Sequence, residues 1–307
     1  MRRLAIAVIA AGAFVAGTAI TAACTNSGTP AHTTAQRSIT ARPALLPGPR
    51  YYLSLGDSLA QGVQPDAAGA SRPTSRGYPD QLYAALRRRA PGLRLVKLGC
   101  SGETSWTMIR GGICRYPAGS QLTAARQFLR AHRGHVALVT IDIGANDPNS
   151  CYFHARLSRL PACMAGRLRL TAGDLRTILS GLRAAGGPAV QLVGMNYYVP
   201  ELAQWRHGRT GQELAVLSER LVNGYNILLS REYAAYGART ADVFAAFHSA
   251  DFADRVRLPG VGALPRSVAT VCKLTWECAP APAGPNEHAN DLGYAIMAAA
   301  FLLVVQQ

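Results

Sequence analysis

From Tyr51 to Val305 the chain alternates short runs of aliphatic, β-branched and aromatic residues with longer stretches whose apolar residues return at helical spacing. This alternation limits the possible folds more than any other feature of the sequence. Tyr51–Leu55 reads as a strand that ends at Gly56-Asp57-Ser58, and Pro79–Ala90 reads as a helix before a Pro-Gly stop. The pattern then repeats as strand Leu93–Leu98, helix Gln121–His132, strand Val136–Ile143, helix Thr171–Ala185, strand Val190–Met195 and helix Leu214–Tyr236. A strand at Arg239–Val243, a loop-rich stretch through Cys278 and a closing helix at Leu292–Val305 complete it. Strands that alternate with helices imply a mainly parallel sheet covered on both faces, here about five strands in a three-layer α/β sandwich.

The N-terminus reads differently. Arg2-Arg3, an apolar stretch Leu4–Ile20 and the small residues Thr21-Ala22-Ala23 form the pattern of a secretory signal over residues 1–23. Cys24 follows a small pair, as the lipidated cysteine of a bacterial lipoprotein does, although Thr21 stands where leucine is usual; simple cleavage after Ala23 is the rival reading. Residues 24–49 are rich in Thr, Ser, Ala, Pro and Gly and contain no acidic residue, so they read as a disordered tether ahead of a domain at 50–307. An exported protein is expected, either secreted or anchored on the outer face of the membrane.

Cysteine usage agrees with export. Apart from Cys24 there are six cysteines, in three local groups separated by long cysteine-free stretches. Sequential pairing as Cys100–Cys114, Cys151–Cys163 and Cys272–Cys278 is the simplest arrangement. A metal site is the alternative, but none of these pairs has the close spacing that zinc prefers. The formal charge of +15 is almost wholly arginine, since Lys97 and Lys273 are the only lysines. Such a surface suits a membrane or an anionic envelope polymer as well as plain solvation. Nucleic acid is not an expected partner, because the arginines are scattered and no recognition module is present.

In a parallel α/β sheet the ligand crevice lies beyond the carboxyl ends of the strands. The first predicted strand is followed there by Gly56-Asp57-Ser58, the second by Gly99–Gly102 and the third by Gly144–Asp147. A serine nucleophile needs a base within hydrogen-bond reach and donors aimed at the oxygen that becomes negative. Ser58 offers a hydroxyl and a backbone N–H, Gly102 an unobstructed backbone N–H, and Asn146 a neutral amide. His288, just ahead of the closing helix, can supply the base.

These residues resemble the SGNH or GDSL hydrolases. Gly56-Asp57-Ser58 matches the first block of that family, Gly102 the second, Gly144-Ala145-Asn146-Asp147 the third and His288 the last. The six cysteines are similar to the secreted actinobacterial lipase and esterase branch. The resemblance implies a flavodoxin-like fold and a monomeric carboxylic ester hydrolase, with an acyl-enzyme on Ser58 and His288 as its base. It further implies an oxyanion hole from the Ser58 and Gly102 amides with the Asn146 side chain, an ester or lipid substrate, and no metal or organic cofactor. One position departs from the pattern: the family usually has Asp three residues before the histidine, and here that residue is Pro285. Three readings follow. The backbone carbonyl near Pro285 orients the ring, which is the favoured one; Glu287 or Asp291 substitutes; or the scaffold is inactive and serves as an envelope-binding protein. Deacetylation of envelope polysaccharide is a second enzymatic reading.

The other histidines of the 50–307 domain, His132, His135, His154, His207 and His248, lack metal-ligand spacing. Neither H-E-x-x-H, a phosphate-binding G-x-x-x-x-G-K-[ST] nor the serine-elbow G-x-S-x-G occurs. Met195-Asn196-Tyr197-Tyr198 reads as a strand end whose aromatic residues rim the acyl site.

Overall fold

Strand β1 (Arg50–Gly56) buries Tyr52, Leu53, Ser54 and Leu55 in succession. Consecutive side chains in a strand point to opposite faces, so this strand is covered on both sides. That requires a neighbouring strand on each edge and a helical layer above and below. The computed structural model, which describes residues 50–149, 151, 159–258 and 262–305, shows such an arrangement. All of these lie in the unit Pro43–Gln307. The expected leader at 1–23, Cys24 and the tether at 24–49 fall outside the described residues.

After β1 come α1 (Ser58–Gln61), the short pair β2 (Gln64–Pro65) and β3 (Ser71–Arg72), α2 (Tyr78–Arg87), β4 (Leu93–Lys97), α3 (Ser105–Arg110), α4 (Gln121–Ala131) and β5 (Val136–Asp142). Then follow α5 (Leu160–Gly186), β6 (Gln191–Met195), a 3₁₀ segment (Pro200–His207), α6 (Gly208–Ala235), β7 (Arg239–Ala241) and α7 (Val243–Ala246). The pair β8 (Arg255–Leu258) and β9 (Gly262–Pro265), α8 (Arg266–Leu274) and α9 (Asp291–Val304) close the chain.

The central sheet has the order β4-β1-β5-β6-β7, and every pairing in it is parallel. Strand order reverses at β1, between β4 and β5, so the crevice opens at the carboxyl ends of these three strands. Helices α2 and α9 pack together on one face, with the stacked rings of Tyr78 and Phe301 4.6 Å apart, while α4, α5 and α6 cover the other. Three disulfides are present, Cys100–Cys114, Cys151–Cys163 and Cys272–Cys278. Among the described residues no helix is long and apolar enough to cross a membrane.

Three of the differences from the sequence reading have a clear local cause. Helix α5 starts at Leu160 rather than Thr171: its opening turns are mostly exposed, turn only Met164 and Leu168 inward and include Gly166, which reads as a breaker. Helix α6 starts at Gly208, ahead of Leu214, and the added turns hold Gly208 and Gly211, which read as breakers. The stretch expected to be loop contains α8, whose β-branched composition hid a helix that buries Val268, Val271 and Leu274.

Candidate active site

The site begins with a turn that only glycine can make. Gly56 has φ +139°, and a Cβ built on it would lie 2.2 Å from the Asp142 carbonyl oxygen. β1 can therefore end flush against β5, with Asp57 N–H donating to the Asp142 carbonyl at 3.1 Å. The Asp57 carboxylate caps α1 by accepting from Leu59 N–H at 3.0 Å. Ser58 is thus the first residue of α1, half-buried, with a backbone N–H that has no acceptor within the helix.

Buried amides lock the other two loops to this turn. Gln121, at the start of α4, accepts from Gly56 N–H at 2.7 Å and donates to the Gly56 carbonyl at 2.9 Å and to Glu103 Oε2 at 3.1 Å. Asn146 Nδ2 donates to the Glu103 carbonyl at 3.0 Å and lies 3.4 Å from Asp57 Oδ2, so one amide hydrogen is well bonded and the other only weakly held. Asp147 accepts from Ser105 N–H at 2.9 Å and from Thr171 Oγ1 at 2.8 Å, which ties the third loop to α3 and α5.

His288 reaches the nucleophile from 230 positions away, with Nε2 2.9 Å from Ser58 Oγ. Ser58, Asn146 and His288 line a single cavity of about 340 Å³, walled mainly by Leu59, Pro148, Tyr197, Val222 and Tyr225. Gly102 does not line it. That residue is exposed, has φ +79°, and precedes Glu103, whose carbonyl holds the Asn146 amide. Tyr197 and Tyr198, read from the sequence as rim residues, both face the cavity.

The group that orients the imidazole is not the Pro285 carbonyl. Asn286 Oδ1 lies 2.8 Å from His288 Nδ1 and also accepts the His288 backbone N–H at 3.0 Å. This is an Asx turn, which places the side chain of one residue over the backbone two positions on. Of the two acids proposed as substitutes, Asp291 accepts from Gln64 Nε2 at 2.7 Å and pairs with Arg76, and the Glu287 carbonyl accepts from Tyr198 Oη at 2.7 Å. Asn286 and Gln121 escaped the sequence reading; the only local signal was an Asx residue two places before a histidine.

Burial dominates the electrostatics. It lowers His288 to about 4, leaving the ring neutral over most of the pH range. Asp57 and Asp142 are fully buried neighbours, and desolvation holds both carboxyls well above their ordinary range. Asp142 also accepts from Tyr78 Oη at 2.6 Å and from Ala60 N–H at 3.1 Å. Burial likewise raises Glu201 at the cavity wall and takes Glu277 up to about 7.

The arrangement of the sheet and crevice is that of the SGNH hydrolases. Solved structures of similar fold include an extracellular lipase from Streptomyces rimosus, at 20% identity and TM-score 0.53, covering 84% of this chain and all of that one. The acetylxylan esterase Axe2 from Geobacillus stearothermophilus is similar at 17% identity and TM-score 0.52, over 86% of this chain and 97% of that one. A lipase from a goat rumen metagenome is similar at 15% identity and TM-score 0.52, over 83% and 96%. No curated protein sequence matches. The profile of the GDSL-like lipase/acylhydrolase family matches residues 54–296, and the chain belongs to that family.

Proposed function

We propose that this protein is a serine ester hydrolase that works through an acyl-enzyme on Ser58. The observation that carries the reading is the 2.9 Å approach of His288 Nε2 to Ser58 Oγ at the wall of an open, mainly apolar cavity. As Oγ attacks the ester carbonyl, Nε2 takes its proton, and the carbonyl oxygen becomes an oxyanion. The Ser58 N–H and the less firmly held hydrogen of Asn146 are the donors for it, while the Gly102 N–H implied by the family pattern stands outside the cavity lining. Collapse of the intermediate breaks the ester bond, and the imidazolium returns its proton to the leaving alcohol. Water then repeats the sequence on the acyl-enzyme, releasing the acid and restoring Ser58.

The tyrosine-lined cavity suits an uncharged acyl group. The inactive-scaffold reading rested on a missing partner for His288, and Asn286 fills that place. Three disulfides fit an oxidising compartment, hence an exported enzyme. The test is turnover of p-nitrophenyl esters of graded chain length together with fluorophosphonate labelling and peptide mapping. Labelling should fall on Ser58, and Ser58→Ala should lose both labelling and turnover. An unlabelled Ser58 with no Ser58-dependent hydrolysis at any chain length would overturn the proposal.

A further inference from the structure

We infer that Asn286 is the positioning residue of the base, so that the catalytic array is Ser58–His288–Asn286, with a neutral amide where the family pattern has a carboxylate. The inference rests on the reading of Ser58 and His288 given above and assigns a role to a position that the family pattern leaves open, between Pro285 and His288.

Hydrogen-bond logic fixes the arrangement. The His288 backbone N–H can only donate, so the Asn286 atom 3.0 Å from it must be the amide oxygen. The same oxygen lies 2.8 Å from His288 Nδ1, so Nδ1 must carry a hydrogen. A neutral imidazole has one N–H, which leaves Nε2 with its lone pair toward the Ser58 hydroxyl 2.9 Å away. That is the tautomer a general base requires. Asn286 is itself held at both ends of the amide and backbone: Nδ2 donates to Ser71 Oγ at 3.0 Å, and its N–H donates to the Trp276 carbonyl at 3.3 Å. Trp276 N–H in turn donates to the His288 carbonyl at 3.0 Å.

An amide differs from a carboxylate in one respect that can be measured. It orients the ring but adds no negative charge to favour the imidazolium, so burial alone governs the ring. The other ionisable groups around it are acids: Asp57 beneath the nucleophile, Glu201 after β6, Glu277 beside Trp276, and Glu287 in its own loop. Asp57, Glu201 and Glu277 are themselves pushed up by burial. Among the described residues no Lys or Arg lines the cavity. The base therefore stays unprotonated into acid solution.

The test compares Asn286→Ala and Asn286→Asp in the full chain. Asn286→Ala should lower kcat by about 10²-fold or more with KM little changed, because the ring loses its tautomer lock. Asn286→Asp keeps both acceptor positions and adds charge. It should restore most of kcat and move the acid limb of kcat/KM up by about one pH unit or more. Nitrogen-15 NMR of the His288 ring should show the Nδ1–H tautomer in the parent and a raised titration midpoint in Asn286→Asp. Full kcat in Asn286→Ala, or an unmoved His288 titration in Asn286→Asp, would overturn the inference. If the parent itself shows no Ser58-dependent turnover, the hydrolase reading fails, and the ring tautomer and titration still decide the role of Asn286.

Discussion

At Asn146 a single side chain joins two of the loops that build the crevice. One amide hydrogen goes to the Glu103 carbonyl at 3.0 Å, while the 3.4 Å separation from Asp57 leaves the other free to turn to a stronger acceptor. A developing oxyanion is such an acceptor, so the bond strengthens in the transition state and not before it. Asn146→Ala should therefore lower kcat by about 10²–10³-fold while leaving KM nearly unchanged. Steady-state kinetics on one p-nitrophenyl ester checks this, and a rise in KM at constant kcat would assign Asn146 to ground-state binding instead. Ser58, Asn146 and His288 were legible in the sequence because the chemistry restricts their residue type and order along the chain. Gln121 and Asn286 were not, since amides that brace a loop leave no spacing pattern, and only the fold brings Gln121 beside Gly56.

Among the elements, the segment from α8 to α9 shows how a fold can hold a base without a rigid helix or strand beneath it. Trp276 donates to the His288 carbonyl and accepts from Asn286 N–H, and the Cys272–Cys278 disulfide brackets Trp276 on either side. Thr275 and Ala289 form an isolated antiparallel bridge that keeps the two strands of this loop together. Replacing both cysteines, Cys272→Ser with Cys278→Ser, should loosen the His288 loop before it disturbs the central sheet. The expected result is a marked fall in kcat at 25 °C with an unchanged far-UV circular dichroism spectrum, and a loss of about 2 kcal/mol in stability from the freed loop. Unaltered kcat in the double variant would show that the loop holds itself. The sequence revealed the central strands, whose near-continuous apolar runs mark burial on both faces. Helix α8 was hidden because its valines and threonine favour strands locally, and tertiary burial overrode that preference.

Across the whole molecule, burial of the Asp57 and Asp142 carboxyls ties stability to pH. Desolvation raises both above their unfolded value near 3.8, so the native state holds more protons than the unfolded chain from there up to the native titration. Stability contributed by the protonated pair is full at low pH and is lost as pH rises through that window. His288 acts oppositely: its native value near 4 lies below the model-peptide 6.5, so the unfolded chain gains the extra proton and stability falls as pH drops between them. Asp142→Asn separates the two effects. An amide can turn its oxygen to Ala60 N–H and its NH₂ to Tyr78 Oη, which is able to accept, so both bonds of Asp142 survive without a second buried acid. Asp57 then ionises with less repulsion. Thermal unfolding followed from about pH 5 to about pH 8 should show a smaller loss of Tm toward neutral pH in Asp142→Asn than in the parent, the His288 contribution being common to both. Parallel Tm curves would mean that the pair carries no proton across this range, and that some other buried acid, Glu277 first among them, sets the pH dependence of the fold.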